Sequence, residues 1–315
     1  MDHASRPAVL TADAAGIAEA ARLLREGGLV AVPTETVYGL AARADRDESV
    51  AAIYGAKGRP SFNPLIVHIA DVAAARELAL FDERALQMAD AFWPGALTMV
   101  LPLRSGAPVA AAVTAGLPTI ALRCPAHPVM RAIIAEAGLP LAAPSANRSG
   151  GVSPTGAAHV ISSLGGRIDA VVDGGSCEAG LESTIIALRE GGRWQVLRPG
   201  PIPESAICAV LGTPSDAVTS QAIEAPGQLV SHYAPGKPVR LNAATAQANE
   251  FHIGFAEVPG DVTLSASGDL IEAAARLYAL LHQGAESPKS RIAVAPVPSE
   301  GVGEAINDRL KRAAA

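Results

Sequence analysis

Apolar residues recur at helical spacing from Ala12 to Glu26 and stop at Gly27-Gly28, which predicts a helix with a glycine end. Leu29 to Pro33 is then a short unbroken apolar run, the pattern of a buried strand. Further along, the spacing predicts helices over Asp47–Ala56, Asp82–Phe92, Pro128–Ala137 and Pro154–Leu164. Between and after them, strand-like runs fall at Leu65–Ile69, Thr98–Leu103, Thr119–Arg123 and Leu139–Ala142. Three more follow at Ala170–Asp173, Ser183–Leu188 and Trp194–Leu197. Strands interleaved with helices in this way predict one α/β domain over residues 1–212.

From residue 213 to 237 the periodicity lapses and Pro, Gly, Ser and Thr accumulate, which marks a linker. A smaller α/β unit is expected over residues 238–315. Its strand candidates are Val239–Leu241, His252–Phe255 and Arg291–Pro296, and its helices Asp269–Gln283 and Gly303–Arg312. The alternation suits a Rossmann-like layer, but no G-x-G-x-x-G follows a strand, so no dinucleotide is expected there. A covering or regulatory role fits better.

With 315 residues the chain is long enough for one large domain or two unequal ones. A net charge of −6 argues against a general nucleic-acid binder, which needs a basic face to neutralise many phosphates. Cys124, Cys177 and Cys208 form no C-x-x-C pair and are odd in number, so they read as small core residues in a reducing cytoplasm. Asp2 and Arg6 precede an Ala-rich amphipathic run with no signal-peptide core. The uncharged stretch from Ser105 to Leu122 is interrupted by Pro108, Gly116 and Pro118, so no segment calls for a membrane.

Candidate chemistry begins at Ala56-Lys57-Gly58-Arg59-Pro60-Ser61-Phe62-Asn63-Pro64, ahead of an apolar strand. Only a glycine separates Lys57 from Arg59, so both cationic heads can converge on one polyanion, the guanidinium as a fork and the ammonium as a mobile point charge. A solvated charged loop would look the same. The second element is Ala143-Pro144-Ser145-Ala146-Asn147-Arg148-Ser149-Gly150-Gly151-Val152-Ser153-Pro154. Its small residues leave backbone N–H groups accessible, and Ser153-Pro154 reads as an N-cap followed by proline at the first helical position, a start suited to an anion. A plain polar turn entering a helix is the alternative.

These elements together resemble the Sua5/YrdC/YciO family, in its full-length Sua5-type form. The likeness also rests on Val32-Pro33-Thr34-Glu35-Thr36-Val37-Tyr38-Gly39-Leu40, Phe92-Trp93-Pro94-Gly95-Ala96-Leu97-Thr98, Glu182-Ser183-Thr184-Ile185 and Leu197-Arg198-Pro199-Gly200. Ser231-His232-Tyr233-Ala234-Pro235 and Gly303-Glu304-Ala305-Ile306-Asn307-Asp308-Arg309-Leu310 resemble the linker and C-terminal domain that set Sua5 proteins apart from YrdC ones. Pro226-Gly227-Gln228-Leu229-Val230 departs from many relatives by lacking a lysine after the glycine. The resemblance implies a YrdC-like twisted, mostly parallel sheet with flanking helices, plus a small Rossmann-like C-terminal Sua5 domain.

It further implies synthesis of threonylcarbamoyl-AMP from L-threonine, bicarbonate and ATP, for N6-threonylcarbamoyladenosine at tRNA adenosine 37. Partners would be the transferase machinery that receives the adenylate and, since YrdC-like folds have been regarded as RNA-binding, tRNA or RNA. A YciO-like nucleotide- or RNA-binding protein without synthase activity is the rival. Carried over by position, Lys57 and Arg59 would hold phosphates as the catalytic cations, with Asn63, Thr119, Ser145, Asn147, Ser153, Arg198 and Tyr233 completing the ATP site. Thr36, His68, Arg123, the backbone at Ala143, and Ser183 would hold L-threonine. Mg²⁺ would arrive with ATP, because His127 and His159 show no metal spacing and no dedicated protein metal site is expected.

From the residues alone several roles stay open. Arg123 ends an apolar strand and needs an anion, which a substrate carboxylate or an internal Asp or Glu would supply equally well. His68 ends another strand, where a histidine is commonly just hydrogen-bonded in place. Ser183-Thr184 can be ordinary strand hydroxyls, and Asn147 can serve its own turn. Phe92-Trp93-Pro94-Gly95 reads as a helix stop with aromatic packing rather than a base-stacking shelf. Tyr233 is either a lid over the nucleotide or a packed tyrosine in a passive tether.

Overall fold

The structure, a computed structural model, describes residues 6–213, 224–228 and 232–315. Asp2, Leu229, Val230, Ser231 and the first half of the expected linker lie outside the described residues.

The first half of the large unit runs β1 (Ala8–Thr11), α1 (Ala14–Glu26), β2 (Val30–Val32), β3 (Gly39–Arg43), α2 (Asp47–Lys57), β4 (Ile66–His68), α3 (Val72–Leu78), α4 (Glu83–Phe92) and β5 (Leu97–Pro102). The second half runs α5 (Ala111–Thr114), β6 (Thr119–Arg123), α6 (Pro128–Ala137), β7 (Leu141–Ala142), α7 (Ala157–Leu164), β8 (Ala170–Asp173), β9 (Thr184–Leu188), β10 (Trp194–Arg198) and α8 (Glu204–Leu211). The small unit holds β11 (Val239–Arg240), β12 (Glu250–Gly254), β13 (Val262–Thr263), α9 (Leu270–Glu286), β14 (Arg291–Val294) and α10 (Gly303–Ala313).

Local chemistry sets the helix ends. Asp13 accepts from the Gly16 amide at 2.9 Å and starts α1, and Gly27 ends it at φ 97°, a conformation open to a residue without Cβ. Asp71 and Asp82 cap α3 and α4 in the same way. The helix expected from Pro154 starts only at Ala157, with Gly156 in the cap position. Ser153 therefore lies three residues ahead of the cap, and its hydroxyl donates to Glu182.

The large sheet has ten strands in the order β1-β8-β2-β3-β7-β4-β6-β5-β9-β10. Parallel pairs join β1 to β8, β8 to β2, β4 to β6 and β5 to β9. The other five pairs are antiparallel; between β2 and β3 the short connection Pro33–Tyr38 turns the chain back on itself. Six strands thus run one way and four the other, an α/β sheet with more antiparallel pairing than the resemblance implies. The small sheet, β11-β14-β12-β13, is parallel throughout, as a Rossmann-like layer should be.

One apolar core packs α2, α4, α5 and α7 against one side of the large sheet, with Leu40, Val67, Leu97, Leu122 and Ile186 pointing into it. A second core packs α1 and α6 against Val30, Val32, Leu141 and Val172. Each fully buried side chain of this size contributes about 1.5–3 kcal/mol, so the sheet is a rigid platform. Elsewhere the sheet surface carries only the small cluster of Ile66, Val100, Ala121, Ile185 and Ala187, and Ala225 of the linker segment rests on it. Of this cluster, Ile66 lines a cleft whose walls are otherwise largely polar. The small unit builds its own core around Ile253, Leu277, Tyr278, Ile292 and Ile306, and this core also takes in Val37, Leu181 and Tyr233.

Candidate active site

Strands β4 and β6 run parallel with His68 directly opposite Arg123, so two charged or polar side chains meet where both strands end. Side chains alternate along a strand, so Thr119, Ala121 and Arg123 share one face. Thr36, His68, Arg123, Ala143 and Ser183 line a cleft. Arg59, Ser145, Arg198 and Tyr233 line the same cleft, so nine of the fourteen candidates converge in one place. Pro226, Gly227 and His232 close it from the linker side and leave about 40 Å³ of free volume.

Arg123 is held by Glu35, its NH2 donating to Oε1 at 2.6 Å while Nε donates to the Gly95 carbonyl at 3.2 Å. The internal carboxylate partner is therefore present. Burial by itself would raise the Glu35 carboxyl, yet Arg123 outweighs it and holds the group down to about 2. His68 is buried, and its Nδ1 has no hydrogen-bond partner among the described residues. Burial first, and Arg123 second, push the imidazole down to about 3, so it is neutral at physiological pH. Ser183 shares a 2.7 Å hydrogen bond with Thr98, and the hydroxyl of Thr36 one of 2.8 Å with Thr34.

Arg59 is buried and fixed by its own loop: NH2 donates to Asn63 Oδ1 and to the Pro64 carbonyl, both at 2.8 Å, and Nε to the Asn63 carbonyl. Asn63 thus stands behind Arg59 rather than on the cleft wall. Arg198 donates to the Ser183 carbonyl from Nε and NH2 and to the Ser183 hydroxyl at 3.1 Å. Lys57 also lies behind the wall, its Nζ donating to the carbonyls of Ser145 and Asn147, each at 2.5 Å. Burial lowers this ammonium well below the usual lysine range. The two cations therefore do not point the same way: Gly58 caps α2 at φ 61° and turns the chain between them. A Cβ there would meet nothing within 4 Å, so the glycine is required by conformation and not by room.

The remaining candidates are placed as follows. Asn147 uses Nδ2 to bind the carbonyls of Arg148 and Gly151, serving its own turn. Ser153 donates to Glu182 at 2.5 Å. Thr119 sits at the far end of β6, paired with Pro102. Tyr233 is buried, stacked on Tyr278 at 5.6 Å and edge-on to His232. Trp93 packs on Phe81 and donates Nε1 to the Leu97 carbonyl, a structural role.

Two acidic residues and an arginine were passed over as site candidates. Glu35 and Glu182 each interrupt an otherwise uncharged motif, and Arg309 falls on the apolar stripe of α10 with Ile306 and Leu310. A charge at a core position was the available signal. Glu182 lines the cleft.

The family model of the Sua5, YciO and YrdC proteins, described as Telomere recombination, matches residues 22–200, more than half of the chain. The chain is a member of the Sua5/YrdC/YciO family. Within that family a second model, the C-terminal domain of threonylcarbamoyl-AMP synthase, matches residues 202–315. The chain is similar to threonylcarbamoyl-AMP synthase of Bacillus subtilis, 42% identical over 95% of this chain and 92% of that one. It is also similar to that of Pyrococcus abyssi, 39% identical over 93% and 92%. A crystal structure of P. abyssi Sua5 complexed with L-threonine matches with a TM-score of 0.89 at 36% identity, covering 97% of each chain. E. coli YciO, at 20% identity and a TM-score of 0.54 over 62% of this chain and 96% of that one, shares the fold alone.

Proposed function

We propose that the protein condenses L-threonine, bicarbonate and ATP into threonylcarbamoyl-AMP, releasing pyrophosphate and water. The observation that carries this is one cleft lined together by Arg59, Arg198, the Glu35-paired Arg123 and His68, whose Nδ1 has no partner among the described residues. Similarity to threonylcarbamoyl-AMP synthases over nine-tenths of the chain, and to a Sua5 crystallised with L-threonine, supports the same reading.

In this reading the threonine carboxylate faces Arg123, with Thr36, Ser183, His68 and the Ala143 backbone around it. The threonine amine adds to the bicarbonate carbon and water leaves, giving a carbamate. A carbamate oxygen then attacks the α-phosphorus and pyrophosphate departs, with no covalent enzyme intermediate. Arg59 and Arg198 take the growing charge on the leaving group, the electrostatic share of catalysis. Lys57 acts mainly by fixing the Ser145–Asn147 loop from behind, while Asn63 and Asn147 hold Arg59 and their own turn. Thr119 and the apolar floor under Ala225 take the nucleoside once the linker lifts, because 40 Å³ is far below what a nucleotide needs. Mg²⁺ enters with ATP on phosphate oxygens and water.

We assign residues 1–212 to the catalytic unit, 213–237 to a linker whose described residues Pro226, Gly227, His232 and Tyr233 line the cleft, and 238–315 to a supporting unit. Product passes to a threonylcarbamoyl-transferase machinery for tRNA adenosine 37, which is cytoplasmic work. No helix among the described residues is long and apolar enough to cross a membrane.

The test is incubation with α-labelled ATP, bicarbonate and Mg²⁺, with and without L-threonine, followed by rapid separation of adenylates. Threonylcarbamoyl-AMP and pyrophosphate should form only when both co-substrates are present, and Arg59→Ala should lose them. ATP binding without that product would overturn the reading in favour of a YciO-like nucleotide- or RNA-binding role.

A further inference from the structure

Helix α10 carries a fully buried arginine to the back of the cleft. Ile306, Leu310 and Ala313 form its buried face, and Arg309 lies in the same stripe. A guanidinium there must be matched by acceptors. Nε donates to Glu182 Oε2 at 2.9 Å, NH2 to the Pro199 carbonyl at 2.9 Å and NH1 to Asp308 at 2.7 Å. The same guanidinium stands 5.3 Å from the centre of the Tyr233 ring. Tyr278 of α9 donates to Glu182 Oε2 at 2.8 Å, and Ser153 donates to Oε1. Two of the three side-chain donors on this carboxylate thus come from the small unit.

Glu182 lines the cleft beside Arg59 and Arg198, the cations that a triphosphate needs. Left bare, its negative charge would engage those cations itself and repel phosphate, strongly so in a site with little water. We propose that Arg309, assisted by Tyr278, is a positioning residue for the nucleotide end of the cleft: it neutralises and holds Glu182, leaving Arg59 and Arg198 available for phosphate, and it seats Tyr233 at the cleft wall. The small unit then completes the electrostatics of a site whose other residues lie in the large unit. This rests on the ATP reading above.

The experiment compares Arg309→Met, Glu182→Gln and the double variant in the full-length protein by steady-state pyrophosphate release. Arg309→Met leaves a buried carboxylate unpaired and should raise the ATP KM about tenfold or more, while the threonine KM moves less than about threefold. Glu182→Gln alters a cleft residue and serves as the background for comparison: the double variant should match its ATP KM within about threefold and should have an ATP KM several-fold lower than Arg309→Met, because no unpaired carboxylate remains. Lost packing alone would leave the double variant as impaired as Arg309→Met, and that result overturns the proposal. So does an unchanged ATP KM in folded Arg309→Met. Where Arg309→Met does not fold by circular dichroism, the comparison of the double variant with Glu182→Gln decides: similar ATP KM values support the proposal and a tenfold worse double variant overturns it. Parent protein that binds ATP calorimetrically but makes no adenylate sinks the synthase reading, and the same variants then test the proposal by ATP affinity.

Discussion

His68 and His232 are buried imidazoles held neutral, at about 3 and about 4 against an ordinary value of 6.5, with burial the main cause in both. Below pH 6.5 the unfolded chain takes up protons that the folded chain refuses, so stability falls as pH falls from 6.5 toward those values. Glu35 and Glu182, both held at about 2, add a second loss as pH drops below about 4.5, where the unfolded carboxylates protonate first. Urea midpoints should therefore decline between pH 7 and pH 5 and more steeply below 4.5. His68→Asn should flatten part of the first decline, and an unchanged slope would mean that this imidazole titrates normally. Its role was hard to see beforehand because a strand-end histidine reads the same whether it is satisfied or not. Only the packing shows Nδ1 without a partner.

At the scale of elements, the turn from α2 into the Arg59 loop depends on one backbone angle. Gly58 sits at φ 61° with open space around it, so Gly58→Ala should fit sterically yet cost about 1–2 kcal/mol in the left-handed region. The cost should appear as a lower urea midpoint. ATP KM should rise with it, because Arg59 takes its direction from that turn. The glycine was visible in the sequence, but its purpose was misread as making room between two cations. Local pattern also placed both C-terminal helices and three of the four C-terminal strands within a few residues, while β1, β3, β13 and the helices α3, α5 and α8 went unseen. Gly39–Arg43 shows no polar alternation, since both of its faces are covered, with Leu40 and Ala42 in one core and Ala41 in the other.

For the whole molecule, the contact between the two units is as decisive as either unit. Gly180 lies where an added Cβ would fall 2.5 Å from the Ala274 carbonyl oxygen and the Ala275 Cα, both backbone of α9, and its φ is +67°. Gly180→Val should push α9 away from the large unit, withdraw Tyr278 and Arg309 from Glu182, and lower the thermal midpoint by several degrees. Scanning calorimetry together with ATP KM checks this: a lower midpoint with unchanged ATP KM would separate the interface from the site.

Sequence alone determined the α/β class, because hydrophobic period is a local property, and its resemblance to the Sua5/YrdC/YciO family named nine residues that the fold brings to one cleft. Tertiary structure alone decided the partners. Glu35 reaches Arg123 across 88 positions and Arg309 reaches Glu182 across 127. Such pairs exist because desolvation makes a buried charge need partners, an opposite charge here and carbonyl groups at Lys57, and which partner lies within reach is set by how strands and helices pack.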